Sequence, residues 1–110
     1  MAFDEVLAER VHTALPADPS NFIVSKRMFG GIAWMMNGHL AFGILGEEFM
    51  VRLGNDGAAA AAHQPGVRLF DLMGQKMNSA VIVSGEYLDD AQLQSWIDQA
   101  LTFVETLPPK

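Results

Sequence analysis

Apolar residues recur at Phe3, Val6, Leu7, Val11, Ala14 and Leu15, a spacing that gathers them on one face of a helix. Asp4 and Glu5 stand at its start, where the helix dipole favours anions. Pro16 and the segment Ala17-Asp18-Pro19-Ser20-Asn21 stop it, since proline lacks the amide a continuing helix needs. The period then changes. Phe22-Ile23-Val24 with Met28-Phe29 predicts a first strand, Ile32 to Met36 a second, His39 to Leu45 a third and Glu48 to Leu53 a fourth. Asn37-Gly38 separates the second from the third, and both residues tolerate the positive φ of a type I′ turn. Gly46-Glu47 suits a type II′ turn, with glycine in the first central position.

These turns imply a register. Met36 falls opposite His39, Met35 opposite Leu40, Trp34 opposite Ala41 and Ala33 opposite Phe42. In the second hairpin Ile44 meets Phe49, Gly43 meets Met50, Phe42 meets Val51, Ala41 meets Arg52 and Leu40 meets Leu53. One face then collects Ala33, Met35, Leu40, Phe42, Ile44, Phe49, Val51 and Leu53, all apolar, and is expected to be the core face. The other collects Ile32, Trp34, Met36, His39, Ala41, Gly43, Met50 and Arg52.

Further on, Gly54-Asn55-Asp56-Gly57 caps a short alanine helix, Ala58 to His63, ended by Pro65-Gly66. Val67 to Leu72 and Ala80 to Ser84 predict two more strands, joined by a loop around Gly74-Gln75-Lys76. Asp89 and Gln92 have capping-box spacing ahead of a long helix. Its apolar stripe is Leu93, Trp96, Ile97, Ala100, Leu101, Val104 and Leu107, and Pro108-Pro109 ends it. The expected fold is α+β in two layers, an antiparallel sheet with a β-meander core and the N- and C-terminal helices packed on one face.

Length bounds this to one domain, residues 1–110. Half the residues are hydrophobic, which excludes a disordered chain. The absence of cysteine removes disulfides, thiolate metal sites and thiol nucleophiles, and fits a reducing, cytoplasmic setting. The first residues are acidic where a secretory signal is basic, and no apolar run approaches the roughly 20 residues of a bilayer span. With 7 basic and 13 acidic residues the net charge is −6. Such a surface repels phosphate backbones, so direct nucleic-acid binding is not expected, and Lys26-Arg27 is the only close basic pair.

Chemistry-bearing patterns are few. His12, His39 and His63 fall in different elements, none with a partner at metal-site spacing. His39, at a hairpin edge beside Met36, is the one placed to sense pH. Gly30-Gly31 and Gly43-x-x-Gly46 lie between or within strands, where glycine marks a bulge or a close backbone approach rather than a phosphate cradle. There is no G-x-S-x-G elbow, and Glu47-Glu48 and Asp89-Asp90 fit a turn and a cap. No catalytic residue, metal or cofactor is expected. The feature left over is the second sheet face. If helices cover only the first, then Ile32, Trp34, Met36, His39, Met50 and Arg52 form a partner or ligand face, with Arg52 near enough to Trp34 for a cation–π contact. The other reading is a second core layer.

The segment Lys26-Arg27-Met28-Phe29-Gly30-Gly31-Ile32-Ala33-Trp34-Met35-Met36-Asn37-Gly38, followed by Phe49-Met50-Val51-Arg52-Leu53-Gly54, resembles the N-terminal domain of the TfoX (Sxy) family. The likeness continues through Asp71-Leu72-Met73-Gly74-Gln75-Lys76-Met77 to Leu107-Pro108-Pro109-Lys110. It implies an α+β fold and a bacterial, competence-regulator-like role without enzymatic activity, cofactor or catalytic residue. Competence regulators of this family carry a further helical-hairpin domain, which this sequence, ending at Lys110, is expected to lack. Three functions follow as expectations. The first is a regulatory protein-interaction domain that binds a protein partner or itself, as a homodimer. The second is a ligand-binding domain or cryptic enzyme with a pocket near Trp34, His39 and Arg52, where arginine could clamp a carboxylate or phosphate. The third is a regulator that reaches nucleic acid only through a partner.

Overall fold

The computed structural model describes residues 4–15, 23–28, 31–72 and 75–108. Helix α1 (Glu5–Ala14) starts on Asp4, whose carboxylate accepts from the Val6 and Leu7 amides at 3.0 and 3.1 Å. Leu7 and Val11 are its buried residues, whereas Val6 is 69% exposed and departs from the expected stripe. Phe3, Phe22, Phe29 and the stop at 16–21 lie outside the described residues.

Strands β1 (Ile23–Met28), β2 (Gly31–Met36), β3 (His39–Leu45) and β4 (Glu48–Arg52) form the meander. Asn37 at φ 54° and Gly38 at φ 83° make the first turn, and Gly46 at φ 63° opens the second. After β4 come α2 (Asn55–Ala61), β5 (Val67–Leu72), β6 (Gln75–Val83), a 3-10 turn at Gly85–Tyr87 and α3 (Asp90–Glu105). Strand order is β1-β2-β3-β4-β6-β5, antiparallel throughout.

Several boundaries differ from expectation. The alanine helix begins at Asn55, one residue after Gly54, and ends at Ala61. Strand β4 stops at Arg52 because the Leu53 and Gly54 amides both donate to the Ser79 carbonyl. Strand β6 starts at Gln75, so Gln75 and Lys76 are strand and not loop. Leu72 pairs with Gln75. Helix α3 ends before Leu107, which is half-buried beyond it.

The main core lies between the sheet and all three helices. Cross-strand rows carry it: Ile32, Ile44, Phe49 and Val83 in one, Trp34, Phe42, Val51 and Val81 in the next. Leu7 and Val11 of α1, Ala58 and Ala61 of α2, and the full expected stripe of α3 from Leu93 to Val104 complete it. Arg10 ties α1 to α3, donating to the Leu88 carbonyl and pairing with Asp90 at 3.1 Å. Asp89 caps α3 by accepting from the Gln92 amide at 2.8 Å. Among the described residues no helix is long and apolar enough to cross a membrane.

Candidate functional site

The six residues expected to share one uncovered face do not do so. Trp34 is 3% exposed and Met36 fully buried, both in the core beneath the helices, and Ile32 packs half-buried against that core. Trp34 stacks on Phe42 with ring centroids 5.6 Å apart. His39, 8% exposed, donates from Nε2 to the Pro108 carbonyl just past α3. Met50 faces the other way, in a second cluster with Phe70, Ala80 and Ile82.

The cause is a β-bulge. Met36–His39 and Met35–Leu40 pair as the turn requires, but the register then slips, and Trp34 meets Phe42 while Ala33 meets Gly43. Ala41 is the extra residue. One added residue exchanges the two faces of a strand. Ile32, Trp34 and Met36 therefore turn to the helices, and Ala33, Met35 and Leu40 to the opposite side. Phe42, Ile44, Phe49 and Val51, beyond the bulge, lie in the core as expected.

The side opposite the helices is built as follows. By register, one row runs Lys26, Ala33, Gly43, Met50, Ile82 and Arg68 across all six strands. The neighbouring row holds Val24, Met35 and Leu40. Val24 is 38% exposed, Met35, Leu40 and Leu45 are half-buried, and no helix contributes to the apolar cluster beneath them. At the far end Arg68 binds Glu48 through two hydrogen bonds of 2.7 and 2.8 Å. The Arg68 guanidinium holds the Glu48 carboxyl below its usual range, and Glu48 in turn raises Arg68.

Arg52 sits apart from this, at the end of β4. Its Nη1 donates to the Leu40 carbonyl at 3.3 Å, and its guanidinium carbon lies 5.6 Å from the centre of the Phe103 ring. The expected cation–π partner Trp34 is thus replaced by Phe103 of α3. The cleft that Arg52 lines, about 540 Å³, includes neither Trp34 nor His39, so it is not the three-residue pocket expected. Phe103 and Ser79 belong to it instead, and no sequence signal links them to Arg52. Among the described residues no group of three His, Asp or Glu side chains is placed to hold a metal ion.

Curated proteins and solved structures yielded no match. The family model of the TfoX N-terminal domain matches residues 18–104. That span takes in the whole sheet, α2 and nearly all of α3. The chain belongs to the TfoX N-terminal domain family.

Proposed function

We propose that this chain is a cytoplasmic, non-enzymatic regulatory domain that acts through protein contact, as a homodimer joined by the sheet face opposite its helices. The observation that carries the reading is the one-sided packing. All three helices bury their apolar residues on one side of the sheet, while Val24, Met35, Leu40 and Leu45 stay partly open on the other. A contiguous apolar surface of this kind is the usual mark of an interface.

A second copy is the occupant the register favours. A two-fold interface must be complementary to itself. Here a row of large side chains, Met35 and Leu40, lies beside a row of small ones, Ala33 and Gly43. A two-fold axis running across the strands between these rows sets the large row of each copy over the small row of the other. The same operation lays Lys26 over Val24 of the second copy, so no like charges face each other there. The acidic net charge supports contact with protein rather than with nucleic acid.

Sedimentation equilibrium of the wild type beside Met35→Glu tests this. A wild-type dimer that becomes a folded monomer supports the face and its occupant. A wild-type monomer refutes the homodimer, and a Met35→Glu dimer of unchanged affinity moves the interface elsewhere.

A further inference from the structure

We infer that the cleft at Arg52 is a binding site for a small organic carboxylate. The starting point is an unmet hydrogen bond. Arg52 Nε is shielded from solvent and has no acceptor among the described residues. A shielded N–H left unpaired is costly, and in folded proteins such groups usually have a partner, often a ligand or water. The guanidinium carries five donors in a flat fork. Nη1 is committed to the Leu40 carbonyl. The Nε–Nη2 edge is left, and its N–H groups can donate to two carboxylate oxygens side by side.

Among the described residues no acid fills this role: Asp90 pairs with Arg10 and Glu48 with Arg68, and Arg52 forms no ion pair there, although the chain holds 13 acids against 7 basic residues. The cleft has room for a small molecule, about 540 Å³, between Arg52, Gly54, Asn55, Asp56, Ser79 and Phe103. Phe103 is half-buried, lies over the guanidinium and lines the same cleft. A rotation of its ring uncovers the guanidinium edge and offers an apolar wall to the body of the ligand. Asp56, exposed on the lining, repels a second negative charge. A singly charged carboxylate on an apolar or aromatic body therefore fits better than a phosphate dianion.

This site borders the proposed dimer face, because Arg52 bonds to the Leu40 carbonyl, but its lining includes none of Val24, Met35, Leu40 and Leu45, so the Met35→Glu monomer should still bind. The test is a nuclear magnetic resonance titration that follows the Arg52 Nε–H signal, with benzoate, its neutral counterpart benzamide and inorganic phosphate as probes. Benzoate is expected to move the signal downfield to saturation, and benzamide to leave it in place. Loss of the second parallel hydrogen bond in Arg52→Lys should weaken binding about tenfold. Removing the repelling charge in Asp56→Asn should tighten it about threefold. Should Arg52→Lys fail to fold, the benzamide comparison on the unaltered chain decides alone. No saturable shift with benzoate, an equal shift with benzamide, or saturation by phosphate in place of benzoate overturns the assignment.

Discussion

At the scale of single residues, the tightest constraint is at Gly31. A Cβ built there would lie 2.0 Å from the Ile44 carbonyl oxygen, a backbone atom that cannot swing aside. Gly31→Ala must push β2 from β3, and should cost about 3 kcal/mol. A urea midpoint that falls with an unchanged slope is the expected result; an unmoved midpoint would show that the strands give way freely. Glycine as a mark of close backbone approach was legible from the sequence at this position. The Glu48–Arg68 pair was not, because its members are twenty positions apart and meet only across β6. It is exposed but doubly bonded, so Glu48→Gln should cost about 1 kcal/mol at neutral pH. Pairing lowers the folded pKa of Glu48, so its contribution is complete above the unfolded carboxyl value of about 4.3 and is lost as pH falls through the lower folded value. The difference between wild type and Glu48→Gln should hence shrink below about pH 4, and a difference flat in pH would assign it to packing instead.

At the scale of elements, the sequence placed both hairpin turns and the ends of β3 and β5 to the residue, and it named every buried position of α3. It failed at one alanine. Strand β2 reads Gly31-Ile32-Ala33-Trp34-Met35-Met36, apolar on both sides, so either register gives a plausible core face. Ala41 carries no signal for a bulge, and the slip is decided by packing, which stacks Trp34 on Phe42 and Phe42 beside Phe49. Neighbouring substitutions separate the two registers. Trp34→Glu strands a carboxylate in the core and removes a buried aromatic ring, a loss of about 5 kcal/mol or more, against a whole stability of about 5–15 kcal/mol for such a domain. Met35→Glu puts the same charge on the helix-free side and should leave a folded chain. Circular dichroism of the pair reads the answer, and the opposite pattern would restore the unbulged register.

At the scale of the whole molecule, the outcome of that one slip decides what the surface can do. Without the bulge the helix-free side would present Trp34, Met36 and His39; with it, that side presents Met35 and Leu40 beside the buried Ala33 and Gly43. A self-complementary surface makes stability depend on protein concentration, because two unfolded chains are released from one folded pair. A tenfold rise in concentration should lift the wild-type melting temperature by about 3–5 °C for a unit of this combined size. Met35→Glu, placed in the proposed dimer face, should melt at one temperature across the same range. A wild-type melting temperature that ignores concentration would mean the chain folds alone with its helix-free side in water. The burial of Met50, Ala80 and Ile82 would then rest on neighbouring side chains of the same sheet, among them Leu40 and Leu45, and the proposed partner surface would have to be sought on the helix side.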